Sequence, residues 1–112
     1  MQILNPFFVI FVLYNETMEY KEYKRIPNVL RKYRKASGLK QQDVAHILGI
    51  KSSSRISRWE KGEGIPSLVN VFKLAILYRV MVDSLFIDLI RYLRHEIHES
   101  EKKYLLNKNK KL

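Results

Sequence analysis

Six side chains within nine residues carry the chemistry most worth tracing: Ser53, Ser54, Arg55, Ser57, Arg58 and Lys61. Ile56 and Trp59, three apart, supply the inward anchor of a short helix, which leaves these six on its outer side. An arginine fork can grip the O6 and N7 acceptors of guanine with two hydrogen bonds, and small hydroxyls donate to phosphates or base edges. Acidic residues are nearly absent there, Glu60 lying at the edge of the face. Arg58 as a plain solvated arginine is the bland alternative. Arg55 has two others, a phosphate contact or an outward-pointing position. Trp59 reads as core rather than as a stacking platform, because of its spacing from Ile56.

Other chemistries find no support. The chain has no cysteine, hence no disulfide, thiolate metal site or cysteine nucleophile. His95 and His98 are three apart, not the four of a zinc-protease helix, and no third ligand accompanies them. They read as two exposed polar positions, and His46 as a partly exposed helix residue. Gly62-Glu-Gly64 is a turn after a helix rather than a nucleotide loop. No catalytic triad or paired carboxylates appear, so neither an enzyme nor a cofactor is expected.

Charge points to a polyanion. The 112 residues carry a formal net charge of +10, large for a chain with room for one domain. Residues 1–27 balance, whereas residues 28–66 carry nine Lys/Arg against Asp43, Glu60 and Glu63. The basic excess therefore belongs to a folded segment. A lysine-rich surface that merely aids solubility is the alternative. The absence of cysteine fits a reducing cytoplasm, the expected location, with association to the nucleoid when DNA is bound.

The elements that must position the six side chains are helical. Ile26-Pro27 makes a helix entrance, Val29, Leu30 and Tyr33 share a face, and Gly38 supplies a left-handed stop. A second helix over Gln41–Leu48 has Val44, Ala45, Ile47 and Leu48 as its apolar side and ends at Gly49. Ser52, Ser53 and Ser54 are candidate caps for a third helix over 55–61. Ser67 caps a fourth, with Leu68, Val71, Phe72, Ala75 and Ile76 at helical spacing. A fifth, long helix begins near Val82, with an apolar stripe through Leu85, Phe86, Leu89, Ile90, Leu93 and Ile97. Beyond Ser100 a basic tail is expected to fray. Three parts follow: 1–25, 26–99 as one all-α DNA-binding domain, and 100–112 as the tail.

Residues 3–14 are apolar and uncharged. Twelve residues cannot cross a bilayer core, which needs about 20, and the flanks are wrong for a signal peptide. No membrane association is expected. The preferred reading makes Met18 the natural start and residues 1–17 translated upstream sequence. The alternative is an apolar arm, poorly ordered alone, that packs on the domain or on a second subunit.

Two short helices joined by a tight turn are what a helix-turn-helix requires. Ala45 lets the helices approach, Gly49 allows the turn, and Ile50 and Ile56 plug the angle between them. The segments Leu39-Lys-Gln-Gln-Asp-Val-Ala-His-Ile-Leu-Gly-Ile50, Ile56-Ser-Arg-Trp-Glu-Lys-Gly62 and Ile65-Pro-Ser-Leu68 resemble the phage repressor and Cro-like, or Xre, helix-turn-helix class. The resemblance spans roughly residues 26–90. It implies a five-helix, lambda-repressor-like domain whose third helix enters the major groove of duplex DNA. It implies that Gln41 grips a phosphate and braces that helix, and that Arg34 and Glu60 form a largely buried ion pair. Ser53, Ser54, Arg55 and Arg58 match base-reading or near-base positions, and Lys61 a backbone-contacting one. Lys40, Lys51 and Ser57 are further phosphate candidates. Six residues separate Gly49 from Ile56 where the class usually has five, so Ser52 and Ser53 stand in either of two registers. Arg79 occupies a place where the class often has glycine.

A transcriptional regulator, most simply a repressor, is the expected function. Leu85, Leu89, Leu93 and Ile97 are expected to form a homodimer interface. The competing reading is an antitoxin-like module whose fifth helix and tail bind a partner protein while the helix-turn-helix autoregulates the operon. An RNA binder is weaker, because nothing resembles an exposed aromatic stacking sheet.

Overall fold

The computed structural model describes residues 25–110, and the expectations for residues 1–24 lie outside them. Among the described residues there are six helices and no strand. They are α1 (Leu30–Ala36), α2 (Gln41–Leu48), α3 (Ser53–Glu60), α4 (Leu68–Tyr78), α5 (Val82–Leu85) and α6 (Ile87–Lys110). None is long and apolar enough to cross a membrane.

Local chemistry sets most boundaries. Asn28 prepares the entrance to α1, its Oδ1 accepting from the Leu30 N–H at 3.0 Å. Its Nδ2 donates to the carbonyls of Ile26 and Trp59, both at 3.0 Å, which ties the entrance to the end of α3. The Lys40 N–H donates to the Asp43 carboxylate at 2.8 Å, and that negative charge in the first turn of α2 suits the helix dipole. Gly49 ends α2 at φ 76°, a left-handed conformation that lets the Ile50 N–H reach the Ala45 carbonyl at 2.8 Å. Gly62 is required for a second reason. At φ 77° its missing side chain leaves room for the entering strand of chain, since a Cβ there would lie 2.6 Å from the Ile26 carbonyl oxygen.

Leu30, Val44, Ala45, Leu48, Ile56, Trp59, Leu74, Ala75, Tyr78, Leu85 and Phe86 make one core. It sits behind α2 and α3, so the helix-turn-helix is a surface layer on α1, α4 and α5.

Three expectations change. α3 begins at Ser53 rather than Arg55, because the Ser52 hydroxyl caps it by accepting from the Ser54 N–H at 3.1 Å. The anticipated fifth helix is two helices: Phe86, at φ −130° and ψ 42°, breaks the run between α5 and α6. The third change is at the end, where residues expected as a fraying tail continue the helix to Lys110. Residues 99–110 hold no glycine or proline, and good helix formers with a Glu99–Lys102 pair continue the helix. At 1.5 Å per residue, α6 is about 36 Å long, which accounts for the 57 × 27 × 22 Å outline.

Tyr78 is buried, and no group among the described residues bonds its hydroxyl. Burial, with the Glu60 carboxylate as a lesser cause, pushes its phenol up to about 12 from an ordinary value of 10.0. The neutral form is therefore favoured by folding. That stability is complete below about pH 10 and is lost as pH rises through about 12, with about 2–3 kcal/mol at stake. Denaturant midpoints measured from pH 9 to 12 should fall for the wild type and fall less for Tyr78→Phe.

Candidate nucleic-acid interface

Position along a helix decides which of the six polar side chains stand furthest out. Ile56 (1 % exposed) and Trp59 (5 %) fix the inward face of α3. Ser54, Arg58 and Lys61, at i, i+4 and i+7, then form a row on the opposite side, and all three are exposed. Arg55 and Ser57 lie on its two flanks, and Ser53 is half-buried at its start. Arg55 rests over the Trp59 ring at 5.3 Å from the centroid, a cation–π contact that holds the guanidinium at the flank.

The position of α3 is held from below by a polar knot. Arg34 Nε donates to Glu60 Oε2 at 2.6 Å and Nη2 to Oε1 at 3.1 Å, while Nη1 bonds the Leu39 carbonyl at 2.9 Å. The two side chains are 9 % and 3 % exposed, so this is a buried, two-pronged pair. Its hydrogen bond to Glu60 raises the Arg34 pKa, against the opposing cost of burial. Gln41 Nε2 adds a third donor to Glu60 Oε1 at 3.0 Å. The only carboxylate of α3 is thus turned inward and neutralised, which leaves the outer face free of negative charge.

Beside the row lies a cleft of about 460 Å³ lined by Arg31, Arg34, Lys40, Gln41, Ser57, Glu60 and Lys61. With Arg34 committed to Glu60, the cationic rim consists of Arg31, Lys40 and Lys61, which form no ion pair among the described residues. The N-terminus of α2 opens at the same place. Nearer the N-terminal end of α3, a groove of about 320 Å³ runs along Gln42, Ala45, His46, Ile50, Lys51, Ser52 and Ser53. The structure thus brings Lys40, Gln41, Ser57 and Lys61 together towards the C-terminal end of α3 and places Lys51 with Ser53 at its N-terminal end.

Arg31 and Gln42, which line these two clefts, were not among the residues singled out from the sequence. Arg31 sits three residues before Arg34, and that spacing on one basic helix was the available signal. His46 is exposed, in line with its reading; His95 is half-buried, unlike the exposed position expected. Among the described residues no cluster of metal-ligating side chains occurs.

The stripe expected to pair two copies does not survive as one surface. Leu85 is fully buried in the core, so it is removed from the set; Leu89 is half-buried and packs against the core. The break at Phe86 resets the helical phase, which is why a single stripe drawn through 85–97 fails. Leu93 and Ile97, 40 % and 59 % exposed, line a shallow apolar groove with Ile90, Arg94, His98 and Glu101.

A short all-helical layer of α2, a glycine turn and a basic α3 defines a helix-turn-helix. The family model described as helix-turn-helix matches residues 30–85, half of the chain, and the chain belongs to that family. It is similar to an uncharacterized HTH-type transcriptional regulator of Methanocaldococcus jannaschii, 40 % identical over 60 residues, which cover 54 % of this chain and 89 % of the relative. No solved structure matches the chain significantly.

Proposed function

We propose that the chain is a sequence-specific duplex-DNA-binding transcriptional regulator, a repressor, that works as a homodimer. One observation carries the reading: Ser54, Arg58 and Lys61 project in a row beside a cationic cleft, while Glu60 is turned away. The regulator named among its relatives and the resemblance to the phage repressor class support the same reading.

In this reading α3 enters the major groove. Arg58 and Ser54 meet base edges directly, with Ser53 and Arg55 at the margins; Arg55 reaches a base by leaving the Trp59 face. Arg31, Lys40, Gln41, Ser57 and Lys61 take phosphates beside the C-terminal end of α3, and Lys51 one beside its N-terminal end. Phosphate contacts set the register and base contacts the sequence. A second copy joined through Leu93 and Ile97 would place two α3 helices on half-sites about one helical turn apart.

The two kinds of contact separate experimentally. Arg58→Ala should weaken binding to the preferred site by about 1–3 kcal/mol and relax the base preference at one position. Lys61→Ala should weaken all sequences alike and reduce the slope of affinity against salt by about one. Titration of labelled duplexes at several salt concentrations measures both. An Arg58→Ala protein with unchanged affinity and preference would mean that the row is not the reading face.

One observation favours a second reading, the antitoxin-like module. The far half of α6 carries exposed Tyr104, Leu105 and Leu106, which suit an apolar groove on a partner protein. Co-purification of a single small protein whose release requires substitution of these three residues would support it.

A further inference from the structure

The largest unexplained feature lies on α4. Its inner side packs Leu74, Ala75 and Tyr78 into the core. Leu68, Val69, Phe72 and Ile76 form a second apolar stripe to one side, between 51 % and 76 % exposed, and Ile65 extends it at the start. A contiguous apolar patch on a soluble domain marks a contact surface, and nothing in the helix-turn-helix mechanism uses this one.

The path of the chain indicates what covers it. Arg25, the first described residue, is fastened to the α3–α4 loop: its Nη1 donates to the Lys61 carbonyl at 3.1 Å and pairs with Glu63 at 3.3 Å. The Ile26 N–H donates to the Gly62 carbonyl at 2.9 Å. The point at which residues 1–24 join the described domain is therefore beside the loop that leads into Ile65 and the α4 stripe. Eleven residues, 15–25, separate this anchor from the apolar run at 3–14. Extended, they reach about 36–40 Å, more than twice the roughly 16 Å length of an 11-residue helix. The run contains Phe7, Phe8, Val9, Ile10, Phe11 and Val12 and no charge, so it matches the stripe in chemistry and does not oppose the neighbouring Lys73.

We propose that residues 3–14 of this chain dock on the exposed face of α4 formed by Leu68, Val69, Phe72 and Ile76. Docking removes two apolar surfaces from water at once and is independent of the DNA-binding reading. It gives the arm a specific seat on its own subunit.

The chain contains no cysteine, so a single spin label can be placed cleanly. With a nitroxide on Lys73→Cys, at the edge of the stripe, the amide signals of residues 3–14 in the ¹⁵N-labelled full-length protein should be attenuated several-fold. Adding Val69→Lys and Ile76→Lys, both at exposed positions, should restore them while the core resonances stay in place. Three results would overturn the proposal. One is full intensity over 3–14 in the first protein, and another is attenuation that persists with the two added lysines. The third is attenuation of an unlabelled-site ¹⁵N protein mixed with spin-labelled ¹⁴N protein, which would assign the seat to a second copy.

Discussion

Arg34→Ala is expected to cost about 3–5 kcal/mol of folding stability, because it leaves the Glu60 carboxylate buried with Gln41 as its remaining side-chain donor. A domain of this size has about 5–15 kcal/mol in total, so the variant should lose a large part of its denaturant midpoint. The loss belongs to the orphaned charge rather than to the worth of the pair. Replacing both partners by apolar residues of similar volume, Arg34→Met with Glu60→Leu, should therefore recover much of it. Function should not recover in parallel. Glu60 is also the anchor for Gln41, and without it the start of α2 and the end of α3 lose their common brace. DNA affinity of the double variant is expected to stay low while its stability returns. A cost below about 1 kcal/mol for Arg34→Ala would mean that Glu60 is hydrated and that α3 is held by packing alone.

Leu85→Ala is expected to cost about 2–5 kcal/mol, the range for emptying a fully buried leucine site. Leu85 also stands at a junction, since its carbonyl accepts from the Val29 N–H at 2.9 Å and joins α5 to the entrance of α1. Self-association per folded molecule should be unchanged. Ile97→Ala should do the reverse: stability within about 0.5 kcal/mol, as for an exposed position, with weaker self-association by sedimentation. A Leu85→Ala protein of wild-type stability but altered oligomeric state would reassign the residue to an interface.

These two residues show where the sequence was legible and where it was not. Arg34 and Glu60 lie 26 residues apart, and no periodicity joins them; the resemblance to a repressor class supplied the pair, and the geometry now supplies its hydrogen bonds. The boundaries of α2 were readable because Gly49 and the apolar positions Val44, Ala45 and Leu48 agree. Ser67 was readable as a cap because a proline precedes it and a helical stripe follows. Ser52, Ser53 and Ser54 were not separable, since three adjacent hydroxyls offer the same cap and only the backbone path selects Ser52. Leu85 was misplaced because periodicity assumes an unbroken helix, and nothing in Leu-Phe-Ile announces the break at Phe86. The exposed side of α4 was not separable from its buried side for a related reason. Leu68, Phe72 and Ile76 recur at the right spacing, yet a helix apolar on two sides can bury only one of them. Arg31 was overlooked because its use depends on a cleft assembled from α1, α2 and α3.

The row of Ser54, Arg58 and Lys61 is a reading surface only if the protein distinguishes one duplex from another. Selection of random duplex DNA by the full-length chain at about 150 mM salt, near physiological ionic strength, tests this directly. The account predicts enrichment of a two-fold symmetric consensus, with half-sites about one helical turn apart. It also predicts that one position in each half-site loses its preference when Arg58 is alanine. Uniform recovery of all sequences, with binding that disappears as salt rises, would contradict it and leave the basic face with only non-specific attraction to phosphate.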